Sequence, residues 1–92
     1  MVDTAIEMVA QGRVQCVGFR YFCQREALNN SVNGYVKNLE NGDVKILAEG
    51  EIEKIDSFVI AIRQNHPYAS VVNLLQKKIP FSGNYREFSI KF

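Results

Sequence analysis

Gly34-Tyr35-Val36-Lys37-Asn38-Leu39-Glu40-Asn41-Gly42-Asp43-Val44-Lys45-Ile46-Leu47-Ala48-Glu49 is the stretch on which the fold turns. An Asn-Gly pair between two alternating segments is a strong hairpin signal, because both residues tolerate the left-handed backbone that a tight turn demands. The spacing predicts a strand over residues 34–39, a turn over 40–43 and a second strand over 44–49. Val44, Ile46 and Ala48 then share one face, while Lys45 and Glu49 share the other.

A helical pattern flanks the hairpin on each side. Before it, Phe19, Phe22, Cys23 and Ala27 form one apolar stripe over residues 19–30, with Arg20, Gln24 and Glu26 off it. Asn29-Asn30-Ser31 supplies a stop. After it, Ile52, Ile55, Val59 and Ile62 recur at helical spacing over residues 51–64, and Glu51 and Glu53 suit the positive end of that helix. Pro67 is expected to end it.

Further outward, residues 4–14 alternate as a strand, with Ile6, Met8 and Ala10 on one face and Glu7, Gln11 and Arg13 on the other. Val9 breaks the alternation, as a residue set against a second layer or a partner would. Residues 71–79 read as another strand, and residues 85–92 as a last one in which Phe88, Ile90 and Phe92 alternate. The order β-α-β-β-α-β plus a short terminal strand predicts an α+β, ferredoxin-like sandwich. Two helices would cover one face of an antiparallel sheet. The 92 residues favour a single domain over positions 1–92.

Composition narrows the chemistry. Hydrophobic residues make up 47% of the chain, enough for a core. The net charge of +1 gives no broad electrostatic case for nucleic acid or for a membrane surface, and no apolar run could span a bilayer. An RNA-binding module shares this element order, but it needs exposed aromatics on its central strands. Residues 4–14 and 44–49 contain none. With one histidine, His66, and no C-x-x-C pair, zinc-type spacing is absent, and Ser-His or Cys-His nucleophile schemes are weakened. Cys16 and Cys23 read as reduced thiols; with no export signal, they point to the cytoplasm. No metal or cofactor is expected, nor any nucleic-acid or membrane partner, and the protein is expected to be a monomer.

The segment Gly12-Arg13-Val14-Gln15-Cys16-Val17-Gly18-Phe19-Arg20 carries the main chemical signal. A strand ends in it, a short loop follows, and a helix begins. Free N–H groups at a helix N-terminus carry partial positive charge, and a loop curling into that end can aim several at one oxyanion. Arg20 adds a planar, permanently charged fork suited to phosphate.

Gly12-Arg13-Val14-Gln15 followed by Val17-Gly18-Phe19-Arg20 resembles the first signature of the acylphosphatase family. Gly34-Tyr35-Val36-Lys37-Asn38, with Gly42, Val44 and Gly50 beyond, is similar to its second. Pro67, Ala69, Val71 and the alternating C-terminal segment extend the likeness over nearly the whole chain. The resemblance implies hydrolysis of the carboxyl-phosphate bond of small-molecule acylphosphates, without metal or phosphoenzyme. It also implies inorganic phosphate or sulfate as a site ligand. Arg20 and the amides of Gln15, Cys16, Val17, Gly18, Phe19 and Arg20 would bind the phosphoryl group, and Asn38 would position the attacking water. The topology leaves the distance between Arg20 and Asn38 open.

One position departs from the family pattern. Glycine usually follows the glutamine of the first signature, and here Cys16 stands there. Glycine in such a loop signals a positive φ or close approach of backbone to ligand. Cys16 is therefore expected to strain the loop and reduce activity. Two other readings are an oxidant-reactive thiol and a tolerated substitution without a role. The departure also keeps an alternative function in view: a catalytically weak acylphosphatase-like domain that binds an anion or a protein. Elsewhere, His66 reads as a helix-end residue with no link to the loop, and Cys23 as core. Lys77-Lys78 reads as a solvated strand face, and Tyr21, Phe22 and the C-terminal aromatics as packing residues.

Overall fold

A computed structural model describes residues 2–64, 66 and 68–92. The elements follow the order β1 (Asp3–Arg13), α1 (Phe19–Asn29), β2 (Asn33–Asn38), β3 (Val44–Glu51), α2 (Ile52–Gln64), β4 (Ser70–Ile79) and β5 (Phe88–Lys91). They form one five-stranded sheet in the order β4-β1-β3-β2-β5. This is the ferredoxin-like arrangement, extended at one edge by β5.

The hairpin forms as its sequence predicts. β2 and β3 pair antiparallel, with Val36 opposite Ile46 and Asn38 opposite Val44. The connection is one residue longer than expected, because β2 stops at Asn38 and Leu39 joins the turn. Leu39 N–H donates to the Asp43 carbonyl at 2.8 Å, and the Asn41 side-chain oxygen accepts the Asp43 N–H at 3.0 Å. The turn thus satisfies its own backbone. At the other end of β2, Gly34 has φ +139°, and a Cβ there would collide with the Leu47 carbonyl of β3. The strands can pair this closely only with glycine at that position.

Both helices lie on one face of the sheet, over Met8, Ala10, Val36, Ile46 and Ala48. Helix α1 buries Phe19, Phe22, Cys23 and Ala27, the stripe read from the sequence. Helix α2 buries Ile55, Phe58, Ala61 and Ile62 instead of the expected Ile52-Ile55-Val59-Ile62 set. Ile52 is exposed, because it opens the helix at the rim of the sheet, where its N–H donates to the Val2 carbonyl at 3.0 Å. Phe58 is fully buried against Phe88, ring centroids 5.7 Å apart. Its truncation to alanine would cost about 3–5 kcal/mol. The expected helix stop at Pro67 lies outside the described residues.

The sheet is antiparallel except at one edge, where β5 runs parallel to β2. The last strand is also shorter than the 85–92 expected, because residues 80–87 first cross the face turned away from the helices. Glu49 holds that crossing. Its carboxylate, buried on the face opposite Val44, Ile46 and Ala48, accepts from Ser82 N–H and Oγ–H at 2.8 Å each. It also accepts from Gly83 N–H at 3.1 Å. Only after this strap does the chain reach the edge of β2, where Gly34 N–H donates to the Glu87 carbonyl. Val9 lies on the same face, half-buried between Lys45 of β3 and Leu75 of β4.

Candidate active site

The loop between β1 and α1 makes two left-handed turns in three residues. Cys16 has φ +60° and Gly18 has φ +77°. Gly18 caps α1 without any side-chain hydrogen bond to the helix, and no acidic residue occupies the first turn. The opening N–H groups of α1 are therefore left to whatever lies in front of them.

What lies in front is a cavity of about 100 Å³ lined by Val14, Cys16, Gly18, Phe19, Arg20, Tyr21 and Asn38. The fold thus brings Arg20 and Asn38, one from α1 and one from the end of β2, to the same concavity. Arg20 is fixed from behind. One of its guanidinium nitrogens donates to the Lys91 carbonyl at 3.1 Å, and the group lies 4.8 Å from the centre of the Phe92 ring. Most of its five donors stay available. Asn38 is the converse case: its Oδ1 is buried and accepts no hydrogen bond from the described residues. Buried acceptors are nearly always paired, so this oxygen suits a donor brought by water or ligand.

Gln15 serves differently from its neighbours. Its side-chain amide donates to the Leu39 and Asp43 carbonyls at 2.8 and 2.9 Å, tying the loop to the hairpin turn. Neither Gln15 nor Val17 lines the cavity. The tether sets the loop at the end of β2 and so controls where Cys16, Val17 and Gly18 stand relative to Asn38. No sequence pattern announces such a link, since it joins positions 24 and 28 apart.

Two expectations need correction. His66 lies beside the loop: a Cβ on Gly18 would stand 3.9 Å from its Nε2. Its Nδ1 accepts the N–H groups of Tyr68 and Ala69 at 3.0 and 2.8 Å, which leaves the ring proton on Nε2. The ring packs edge-on to Phe22, centroids 5.0 Å apart. Tyr21, expected to pack, is 64% exposed at the mouth of the cavity; Phe22 is buried as expected. Sequence spacing could not find His66, because its contacts with Gly18 and Phe22 are tertiary.

Burial raises the pKa of the Cys23 thiol far above its ordinary value, and the nearby Glu26 charge adds to this. It is an inert core group. Cys16 is a free thiol exposed at the cavity. Among the described residues no cluster of His, Cys, Asp or Glu could hold a metal ion, and no helix is long and apolar enough to cross a membrane.

An α+β sandwich here sets a loop, an arginine and an asparagine oxygen that has no partner among the described residues around one small cavity. The acylphosphatase family model matches residues 6–90. The chain is 45% identical over 85 residues to an acylphosphatase of Bacillus velezensis, covering 92% of this chain and 94% of that one. Its fold matches the crystal structure of acylphosphatase from Bacillus subtilis with a TM-score of 0.92 at 37% identity, over 97% of this chain and 99% of the other. An acylphosphatase from Coxiella burnetii matches with a TM-score of 0.90 at 31% identity, over 97% and 93%. The chain belongs to the acylphosphatase family and is a hydrolase of that family.

Proposed function

We propose that this protein hydrolyses small acylphosphates to a carboxylate and inorganic phosphate, with Arg20 and Asn38 as its catalytic residues. The observation that carries this reading is the shared cavity: Arg20, the amide loop and the unpaired Oδ1 of Asn38 meet there. The phosphoryl group rests on the amides of residues 15–20 and on the Arg20 guanidinium, which neutralise its equatorial oxygens. Asn38 Oδ1 accepts one hydrogen of a water and turns its lone pair toward phosphorus. The water oxygen bonds to phosphorus as the bridging P–O bond breaks. The bridging electron pair leaves on the carboxylate, and the water proton passes to phosphate and solvent. The conjugate acid of the leaving group has a pKa of about 4, so departure needs no general acid. Among the described residues no histidine or carboxylate lines the cavity, which suits such a reaction. Both cysteines are free thiols, which fits the cytoplasmic location inferred from the sequence.

Steady-state hydrolysis of benzoyl phosphate tests the assignment. Arg20→Ala is expected to abolish both turnover and competitive inhibition by phosphate. Asn38→Ala is expected to lower kcat by roughly 10²–10³-fold with little change in phosphate affinity. Activity surviving in both variants would sink the site. The left-handed Cys16 supports a slowed version of this chemistry. A pure anion- or protein-binding module would instead bind phosphate and turn over nothing.

A further inference from the structure

A second concavity of about 240 Å³ opens beside the first, lined among the described residues by Gly18, Tyr21, Phe22, Arg25, His66 and Tyr68. Gly18 and Tyr21 belong to both walls. The shared wall thus includes a residue without a side chain, and a Cβ on Gly18 would stand 3.9 Å from His66 Nε2. Glycine there allows the left-handed turn and leaves this part of the shared wall without a side chain.

The lining is aromatic. Phe22 and Tyr68 meet the His66 ring edge-on, at 5.0 and 6.1 Å between centroids. Arg25 lies 5.8 Å from the centre of the Phe22 ring and is the one charged group among the described lining residues. Tyr68 is 73% exposed, like Tyr21 a large ring held at the surface. An acylphosphate joins its two halves through one bridging oxygen, so a phosphoryl group in the first cavity leaves the acyl group at the mouth of the second. At about 30 Å³ for each water-sized group, the space holds about eight non-hydrogen atoms, the scale of an aromatic or branched apolar acyl group.

We propose that this groove is the acyl subsite, that it selects aromatic and apolar acylphosphates over small or cationic ones, and that Tyr68 is a specificity-determining residue. The inference rests on the hydrolase reading above. Aromatic rings grip such groups by edge and face, and Arg25 repels an ammonium while favouring a π face.

The test compares benzoyl phosphate with acetyl phosphate in the native protein, Tyr68→Ala and Tyr68→Phe. Expected is a native preference for benzoyl phosphate that falls roughly tenfold in Tyr68→Ala, through KM rather than kcat, and returns in Tyr68→Phe. Equal losses on both substrates, or no native preference, overturn the subsite. Binding of benzoylphosphonate and acetylphosphonate, which carry a C–P bond in place of the labile linkage, is measured in parallel. If the native protein binds inorganic phosphate but hydrolyses neither substrate, the hydrolase reading fails. The phosphonate pair then decides: benzoylphosphonate weakened roughly tenfold by Tyr68→Ala supports the groove, and no change overturns it. Failure to bind phosphate at all overturns both readings.

Discussion

Replacing Cys16 by glycine should make this protein both slightly more stable and faster. Cys16 holds φ +60° with its side chain on the cavity wall. An L residue in that conformation costs roughly 1–2 kcal/mol. Glycine removes the cost but brings roughly 0.5–1 kcal/mol of extra chain freedom to the unfolded state. The difference is a gain of about 0.7 kcal/mol, or about 3–5 °C in Tm for a domain of this size. The rate effect has a ceiling of its own. If the strain tilts loop amides away from the transition state, its release returns at most about 1 kcal/mol, close to fivefold in kcat/KM. Thermal unfolding gives the first quantity, and steady-state hydrolysis of benzoyl phosphate the second. Cys16→Ala separates the causes, because alanine keeps the Cβ and the strain but removes the sulfur. A gain in glycine alone identifies strain, and a gain in both variants identifies crowding. Unchanged or lower activity in a folded Cys16→Gly protein would refute the reasoning.

Gln15→Ala should cost about 1–2 kcal/mol in denaturant unfolding, since it deletes two bonds that tie the loop to the turn. Its kcat should fall further than Tm suggests, because the loop then drifts relative to Asn38. Glu49→Ala removes three bonds to the strap over residues 80–87 and should destabilise by about 3 kcal/mol. Hydrogen exchange should locate the loss in that strap rather than in α1. A thiol reagent should label Cys16 quickly in the native protein and reach Cys23 only after unfolding. Burial holds the Cys23 proton in the folded state while the unfolded thiol ionises near pH 8.5. The folded state then binds more protons, so stability should fall above that pH by up to about 1.4 kcal/mol per unit. Cys23→Ala should remove that slope.

The elements were legible because their signals are local. Asn41-Gly42 marks the hairpin, and the spacing of Phe19, Phe22, Cys23 and Ala27 marks the buried side of α1. The loop before α1 was legible for the same reason: its strand, turn and helix start are consecutive, and the glycine-to-cysteine departure pointed to a positive φ that the structure has at Cys16. What stayed hidden depends on distant pairing. Glu49 alternates onto the face opposite Val44, Ile46 and Ala48, and the strap bonded to it there lies too far along the chain for local spacing to reveal. The parallel edge at β5 follows from where that strap delivers the chain. Ile52 keeps perfect helical spacing yet lies exposed, because periodicity fixes a stripe but not where the sheet beneath it ends. Neither Gln15 nor His66 carries any local mark of its contact with the loop.

The hydrogen bond from Arg20 to the Lys91 carbonyl joins residues 71 positions apart. During synthesis at about 5–20 residues per second, the arginine is made about 4–14 s before its support exists. β5, which carries Lys91, must also find β2 after every other strand has been made. A chain that stops short of residue 91 lacks the carbonyl that holds the guanidinium. If Arg20 holds phosphate as proposed, a chain truncated before Lys91 should bind phosphate more weakly than the 92-residue chain, because its guanidinium has lost that support.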